Sequence, residues 1–538
     1  MRVPPVLPRR TAMLLAAAAG LPRVAVAQAD TRPSITIAVQ TIATSGTLEP
    51  MREQSNVGQR IIAGFAEGMI EIDWLDTLKQ RAVLADSWRR IDDRTLELTL
   101  RKGVKFHDGS IMTAEDVAFS FSAARMDGTE ADQRGLWVGT AQNAADKRPP
   151  PEARAISKAA FPGFERIEIV GEHVVRFVNR TPDVTLEARL TRNTGTIFSR
   201  RGFEAASSWL EWARAPVGSG PYRIARFRPN QDLLLESHDE HWNGRPPLKS
   251  LRFVEVPDVS ARVNGLRAGD YDFACDIPPD QIEGIERDPR LHVLGGRIAN
   301  HRLTIFDKTH PVLADPRVRR AMTLAVDRQA IVDSLWAGRT RIPKGLQHEF
   351  YGDMFIDDWE APRYDPIEAK RLLKEAGYKG DAIPYQLLNN YYTNQTPSAQ
   401  ILVEGWRSVG LNVQIEMREN WGQILGRFPG RGICDNSNSA WFGDPVASMS
   451  AYAPGGQTWE AGQWQNPEAA RAMETMQVST DRLVRKAAFR RMLEICERED
   501  PCYSILHQNA TFTAKRKDLP WRAAQSFVMD FSRRNWGA

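Results

Sequence analysis

Helical and strand patterns alternate along the second half of this chain of 538 residues. The segments 302–306 and 412–417 are typical of strands. Between them, apolar residues recur at helical spacing in four segments, which are 315–325, 328–336, 365–376 and 398–409. This alternation predicts an α/β domain in which helices cover the faces of a sheet.

Strand patterns dominate the first half of the chain. Residues 34–39 and 96–100 alternate polar and apolar side chains, and 222–227 and 232–236 have the pattern of a hairpin. Residues 126–160, rich in Ala, Asp, Arg and Pro, are interpreted as a surface insertion. Because a single hydrophobic core stops growing at roughly 250–300 residues, the chain is expected to form two or three lobes.

The first 29 residues have the order of a secretory signal. Arg9 and Arg10 form a positive start, a short apolar run covers 11–21, and Ala27-Gln28-Ala29 is a small-residue cleavage site. The apolar run is too short to span a bilayer. The sequence therefore predicts export to the periplasm, and whether the route is the general secretory or the twin-arginine pathway is left open.

Removing this leader changes the charge balance. Four of the 71 basic residues lie in it and no acidic residue does, so the mature chain has 67 basic and 67 acidic residues. No basic excess remains for a nucleic acid or an anionic membrane, and we predict no nucleic-acid partner. Because no other run of about 18 apolar residues follows, the mature protein is expected to be soluble.

Cysteine is sparse in the sequence. Cys275, Cys434, Cys496 and Cys502 have no spacing of a zinc or redox site. An oxidising compartment permits a small disulfide loop between Cys496 and Cys502, and two buried free thiols are the equal alternative. We predict no cofactor and no metal.

Several segments in a fixed order resemble one protein family, the oligopeptide- and dipeptide-binding proteins of ABC importers (extracellular solute-binding family 5). They extend over nearly the whole mature chain, so the resemblance is far more specific than any one of them. The segments are 100–109 with 113–117, 217–222, 239–244, 315–322 with 325–328, 364–366 with 369–373, and 441–444.

The resemblance implies the fold and the domain boundaries. The fold is α/β, a two-lobed periplasmic binding protein of type II in the peptide-binding cluster, with a subdomain inserted in lobe I and a hinge of crossing strands. Residues 1–29 would be the signal, 30–296 plus 506–538 lobe I, 75–190 approximately the subdomain, and 297–505 lobe II. Segments 302–306 and the strand near residue 505 would be the crossings.

The resemblance also implies a binding residue. In peptide-binding members an aspartate in a Trp-x-x-Asp segment pairs with the ligand's α-ammonium group, and Trp441-Phe442-Gly443-Asp444 resembles that segment. A carboxylate in a closed cleft holds a cationic nitrogen by a charge-assisted bond. The alternative for Asp444 is a turn before Pro445, and for Trp441 and Phe442 a place in the core instead of the cleft wall.

One departure from the family concerns the ligand's carboxylate. Dipeptide-specific members read it with an arginine, and Pro397 or Ser398 stands at that position in the matching segment 391–398. A strict dipeptide fit is therefore doubtful. Five other residues are candidate ligand contacts, of which two belong to this segment and three lie in loops expected to face the cleft: Tyr391, Asn394, Trp421, Trp459 and Asn56.

Catalytic signatures do not support an enzyme. The sequence has no HExxH helix, no GxSxG elbow and no GxxxxGK[ST] loop. His107 and His241 lie in segments that carry the family resemblance, and His238 directly precedes one of them, which indicates structural roles. We predict a binding protein with no catalytic residue, and a periplasmic hydrolase or chaperone is the competing class.

The predicted function is the soluble binding component of a bacterial ABC importer. It would be a monomer that captures short peptides between its lobes and delivers them to the permease subunits in the inner membrane. The alternative ligand is a non-peptide, amine-bearing metabolite such as an opine or a glycoside.

Overall fold

The computed structural model describes residues 30–126, 147–389, 391–426, 428 and 430–537. The predicted signal, and residues 127–146 of the predicted insertion, lie outside this range. The compact body begins at Pro33. Within the described part of the chain, no helix is long and apolar enough to cross a membrane.

The strands of the described residues are numbered in chain order. In the first 290 residues they are β1 (Ser34–Val39), β2 (Glu67–Gly68), β3 (Ile70–Ile72), β4 (Gln80–Ala82), β5 (Ala85–Arg90), β6 (Thr95–Leu100), β7 (Phe164–Gly171), β8 (Val174–Asn179), β9 (Thr196–Ile197), β10 (Tyr222–Arg228), β11 (Asp232–Ser237), β12 (Ser250–Glu255) and β13 (Phe273–Ala274). After them come β14 (Leu291–Phe306), β15 (Ile383–Leu388), β16 (Val413–Arg418), β17 (Ile433–Ser439) and β18 (Tyr503–Arg516).

The helices are numbered in the same way. Those before β14 are α1 (Asn56–Phe65), α2 (Ala114–Ser120), α3 (Ala123–Met126), α4 (Pro151–Ala160), α5 (Leu186–Arg189), α6 (Arg200–Ala205), α7 (Trp209–Arg214), α8 (Val259–Ala268) and α9 (Pro279–Glu286). Those after it are α10 (Pro316–Leu324), α11 (Arg328–Trp336), α12 (Pro366–Glu375), α13 (Gln395–Ser408), α14 (Trp421–Leu425), α15 (Val446–Met449), α16 (Gln457–Glu460), α17 (Pro467–Val478) and α18 (Arg482–Glu494).

A ten-stranded sheet runs through both halves of the molecule. Its order is β10-β11-β12-β1-β13-β18-β14-β17-β15-β16. Strands from the first half of the chain occupy one end, and β15, β16 and β17 occupy the other. The long strands β14 and β18 lie between them and pair antiparallel with each other. The predicted two-lobed α/β fold with crossing strands is confirmed.

The pairing of the crossing strands is interrupted at their centre. Residues 291–297 pair with 516–510 and residues 301–305 pair with 508–503, with a bulge between Arg297 and His301. Bulges bend a strand and increase its local twist. The sheet therefore changes direction at residues 298–300, between its two ends.

One glycine allows the close approach of the two crossing strands. Gly295 has φ +138°, and a Cβ built on it would lie 2.0 Å from the carbonyl oxygen of Thr511. No side chain fits at that distance. Gly295 and Gly296 together also interrupt the apolar pattern of the sequence. The predicted strand at 302–306 therefore missed the first eleven residues of β14.

A second sheet, β5-β6-β8-β7, lies within the predicted subdomain. It packs on helices that carry phenylalanines, and the Phe121 ring meets that of Phe177 edge-on at 5.1 Å. The predicted capping box that starts α2 is confirmed, since Thr113 and Asp116 accept from each other's backbone. Residues 151–160 of the predicted surface insertion form α4, whose Ala153 and Ala160 are fully buried while most of its other residues are exposed or half-buried.

Two arginines of the family-like segments fix β18 to its neighbours. Arg328 donates from Nε to the Ile505 carbonyl at 2.7 Å and from Nη2 to the Ser504 hydroxyl at 3.1 Å. Arg319 donates from Nε to the Pro501 carbonyl at 2.7 Å. Both side chains are buried. These two segments therefore have a packing role beside the crossing strand.

Candidate functional site

A small cavity lies between the two ends of the large sheet, beside the bulge in the crossing strands. One wall comes from the first half of the chain and includes Gln59 and Trp74. The facing wall is formed by the end of β17 and by Trp441, and the C-terminal residues 526–528 close one side. The cavity measures about 30 Å³, which is room for roughly two water molecules.

Backbone hydrogen bonds link the walls of this cavity in a row. The Ala440 N–H donates to the Ala299 carbonyl at 2.9 Å, and the Ala299 N–H donates to the Gln525 carbonyl at 3.0 Å. The Gln525 N–H in turn donates to the Trp74 carbonyl at 2.8 Å. The bulge residue Ala299 thus joins the β17 wall to the C-terminal segment, and that segment to the Trp74 wall.

Asn56, a predicted site residue, connects the two halves of the molecule. It is the first residue of α1, and its Nδ2 donates to the Ser437 hydroxyl of β17 at 3.2 Å. Its backbone N–H donates to the Tyr391 hydroxyl at 3.0 Å. Ser437 also accepts from Asn300 Nδ2 at 3.2 Å, so the bulge belongs to the same polar cluster.

Two other predicted residues form an aromatic cluster next to these hydrogen bonds. The Tyr391 ring meets the Trp421 ring edge-on at 5.0 Å and the Tyr392 ring at 4.7 Å. Burial holds the pKa of Tyr391 well above its usual value, so its hydroxyl stays protonated. Asn394 lies apart, because its Nδ2 donates to the Leu335 carbonyl at 2.7 Å.

A buried ion pair lies against Tyr392 of this aromatic cluster. Arg302 on β14 donates from Nη2 to both carboxylate oxygens of Asp435 at 2.7 and 2.8 Å. Its guanidinium lies 3.5 Å from the ring centre of Tyr392. Gln395 Nε2 donates to the same carboxylate at 2.6 Å. The charge of Asp435 is therefore compensated within lobe II.

Asp444, the predicted ammonium partner, is likewise occupied. Arg485 Nη2 donates to its two oxygens at 2.9 and 2.8 Å, and the Val446 N–H donates to Oδ1 at 3.1 Å. Three of about four acceptor positions of the carboxylate are thus in use. Asp444 is 7% exposed, and its bond to the Val446 N–H forms the turn at Pro445 that leads into α15, which is the structural alternative for this residue. Its role in binding stays a prediction.

The other predicted aromatic residues divide between cavity and core. Trp441 lines the cavity, whereas Phe442 is buried at 1% exposure in the core of lobe II. Trp459 is half-buried on α16 and does not line the cavity. The set of ligand contacts stays a prediction.

Sequence reasoning missed one charged residue at this site. Arg192 lies between Thr191 and Asn193, which both line the cavity, and its guanidinium is 5.1 Å from the ring centre of Trp441. Its Nε is buried and has no hydrogen-bond partner. No motif marks Arg192 in the sequence, because its isolation depends on which acids the fold brings near it.

Contacts away from the cavity also join the two halves. The Val184 N–H donates to the Gln477 carbonyl of α17 at 2.9 Å. The Trp74 ring meets the Phe350 ring edge-on at 6.2 Å. Val57, Ile72 and Ala188 pack into the core cluster of lobe II. The structure is therefore a closed form, with its lobes in contact around the cavity.

A closed cavity between two α/β lobes that are joined by paired crossing strands defines a two-lobed binding protein. A family model, bacterial extracellular solute-binding proteins, family 5 (middle), matches residues 79–462. The chain belongs to this family.

Relatives and solved structures agree with the family match. Di/tripeptide-binding protein 2 of Pseudomonas aeruginosa (strain UCBPP-PA14) is 27% identical over 488 residues, which are 84% of this chain and 85% of that protein. The fold matches the periplasmic binding protein DppA from Helicobacter pylori in complex with the peptide STSA. There the TM-score is 0.79 at 18% identity, over 92% of this chain and 98% of that one.

An opine-binding structure also has this fold. The chain matches AgaA from A. tumefacien R10, in complex with agropinic acid, with a TM-score of 0.75 at 19% identity. The match covers 92% of this chain and 96% of that one. At these identities the two structures show the fold alone.

Proposed function

We propose that this protein captures short peptides between its lobes and delivers them to the permease of an ABC importer. The observation that carries the proposal is the cavity, which has walls from both halves of the chain and lies at the bulge of the crossing strands. Peptide ligands are supported by the name of the P. aeruginosa relative and by the H. pylori complex. A binding role, without catalysis, agrees with the relatives.

Ligand entry requires the lobes to separate. A cavity of about 30 Å³ has room for water only, whereas small-molecule sites have volumes of roughly 300–1,000 Å³. Hinge motions are absorbed by a few residues at element boundaries. The bulge at residues 298–300 interrupts the pairing of both crossing strands, and we assign the hinge to it.

The cavity wall suits the uncharged middle of a peptide. Its lining residues are neutral: side chains such as Gln59, Asn193 and Ser439 offer hydrogen bonds, and Trp74, Trp441 and Phe527 offer apolar surface. Pockets of this composition fix ligands with a few polar groups in an apolar frame. Charged peptide ends need partners other than these lining residues, and Asp444 remains our candidate for the ammonium group.

The lobe boundaries are part of the same proposal. We place lobe I at residues 30–296 plus 506–538, its subdomain at about 75–190, and lobe II at 297–505. The bulge lies at the first of these boundaries, and β18 crosses the second. We also propose a monomer, exported to the periplasm through residues 1–29.

A second candidate ligand is a non-peptide metabolite. Two observations favour it: the AgaA complex with agropinic acid shares the fold, and segment 391–398 lacks an arginine that could read a dipeptide carboxylate. Both ligand classes leave the importer role unchanged.

The test is to identify what the exported protein carries. Mass spectrometry of the ligand released from natively purified protein should show short peptides, and the same peptides should raise the melting temperature of stripped protein. A single non-peptide metabolite would support the second candidate. Release of nothing, together with no thermal shift from either class, would contradict the proposal.

Neighbouring residues of the C-terminal segment offer a matched pair of variants. Ser526 lines the cavity, whereas the side chain of Gln525 is exposed and does not. Ser526→Trp should fill the cavity and abolish the thermal shift, because a new indole takes the ligand's space. Gln525→Trp adds the same side chain next to it and should bind as wild type. Equal binding by both variants would show that the ligand lies elsewhere.

A further inference from the structure

Arg192 is a cation at the edge of the cavity. No ion pair or side-chain hydrogen bond to Arg192 exists among the described residues, and its Nε is buried without a partner. Burial, and after it the charge of Arg189, lower the pKa of Arg192 to about 10. The guanidinium is therefore still charged at neutral pH. The residue is half-buried, and an unpaired charge that is partly removed from water is unfavourable in a folded protein.

The two acids that precede Arg192 most closely in sequence are both unavailable to it. Glu187 accepts from Arg90 Nε at 3.0 Å. Asp183 accepts from Arg189 Nε at 2.6 Å and from the Thr185 N–H at 2.8 Å. Arg189 and Asp183 have side-chain exposures of only 2% and 5%, so they form a closed structural pair. Both local carboxylates are thus paired with arginines other than Arg192.

The backbone around Arg192 is held in place. The Arg192 N–H donates to the Arg189 carbonyl at 3.2 Å, and the Gly195 N–H donates to the Arg192 carbonyl at 2.8 Å. A Cβ on Gly195 would lie 2.6 Å from the Leu190 carbonyl oxygen, so this turn is tightly packed. The guanidinium therefore starts from a rigid loop and lies against Trp441, which limits where an anion can meet it.

We propose that Arg192 binds a carboxylate of the ligand, with Trp441 as the surface on which the guanidinium rests. A guanidinium binds a carboxylate through two parallel hydrogen bonds, and its stacking on an indole keeps those donors free. This proposal rests on the proposed function in one respect only, namely that the ligand lies in the cavity. For a peptide, the group bound would be its terminal or a side-chain carboxylate.

The experiment compares Arg192→Gln with Arg192→Lys on paired probes. The probes are a mixture of di- to tetrapeptides with free carboxylates, the same mixture as C-terminal amides, and agropinic acid. Binding is measured by thermal shift and tryptophan fluorescence. We expect the free acids to bind Arg192→Gln at least about 30-fold more weakly than wild type, because a buried charged partner is lost. Arg192→Lys should recover part of this loss, and the amides should not distinguish the proteins.

The outcomes separate this proposal from the peptide proposal. One outcome is that Arg192→Gln binds free acids and amides with wild-type affinity, and another is that it binds both kinds of probe more weakly by the same factor. In either case Arg192 binds no ligand carboxylate and is at most a contact between the lobes. If no peptide binds but agropinic acid binds in an Arg192-dependent way, the carboxylate role holds and the peptide function fails. If no carboxylate probe raises the melting temperature of wild type, the assignment is overturned.

The ligand-free proteins give an independent readout. Arg192→Gln should melt at the wild-type temperature or above it, because the change removes an unpaired charge. Arg189→Gln should melt lower, because it leaves the buried Asp183 unpaired. A lower melting temperature for Arg192→Gln would indicate a structural role and would overturn the proposal.

Discussion

Replacing Asp444 by asparagine distinguishes a structural carboxylate from a ligand anchor. The Arg485 and Asp444 side chains are 3% and 10% exposed, and Arg485 Nη2 lies within 2.9 Å of both carboxylate oxygens. Breaking such a pair by removing one partner destabilises a protein by about 3–5 kcal/mol. Asparagine keeps one acceptor oxygen, whose two lone pairs can accept from Arg485 and from the Val446 N–H. We therefore expect a loss at the lower end of this range, about 3 kcal/mol.

Urea unfolding of the ligand-free protein measures this effect. Asp444→Asn should lower the free energy of unfolding by about 3 kcal/mol. The matched control is the double variant Asp444→Leu/Arg485→Met, which removes both charges and should lie nearer to wild type, because apolar replacement of a whole buried pair is often neutral.

Ligand binding provides the second half of this test. If Asp444 also holds the ammonium group, Asp444→Asn should weaken free peptides by about 2–5 kcal/mol and leave N-acetylated peptides unaffected. Unchanged stability together with a selective loss of free peptides would refute the structural reasoning. Lower stability with unchanged affinity would remove Asp444 from the binding site.

Three other predictions concern the hinge and the buried thiols. Burial lowers the pKa of His301 to about 4 and that of His348, stacked on it at 3.9 Å, well below 6.5. As the pH falls, the histidines of the unfolded chain become protonated before those of the folded protein, so the free energy of unfolding should fall between about pH 6.5 and about pH 4. The urea midpoint should therefore differ between pH 5 and pH 7.5, and this difference should be smaller for His348→Phe. Gly295→Ala should lower the free energy of unfolding in urea by at least about 1–3 kcal/mol. Gly296→Ala is the control and should have a smaller effect, because no atom lies within 4 Å of a Cβ built on Gly296. Equal effects would contradict the close approach of the strands. The four cysteines are free and buried. A thiol reagent should therefore label no cysteine in the native protein and all four after denaturation without a reductant. Labelling of only two cysteines in the denatured protein would show one disulfide.

Local chemistry in the sequence predicted many of the elements. Asp365 followed by Pro366 predicted the start of α12, and Asp365 accepts from the Glu368 N–H at 3.0 Å. The hairpin of β10 and β11 followed from two alternating segments and a turn. These features depend on neighbours within a few residues, which a sequence displays directly.

The candidate site was harder to predict because its chemistry depends on distant partners. The carboxylate of Asp444 is bound by Arg485, 41 residues further along the chain. The isolation of Arg192 depends on the pairing of Asp183 with Arg189 and of Glu187 with Arg90. Helix α1 begins at Asn56, in a segment predicted to be a loop. In each case tertiary packing decides which groups remain available to a ligand.

The position of β18 has a consequence for how the protein is made. This strand lies sixth in the ten-strand order, between β13 and β14, although it is the last strand of the chain. A ribosome therefore finishes the middle of the sheet after both ends. Until then β13 and β14 have unpaired edges, which favour association with other chains. A chain cut before residue 503 would lack the strand that joins the two ends of the sheet, and we expect the growing protein to need protection until β18 has been made.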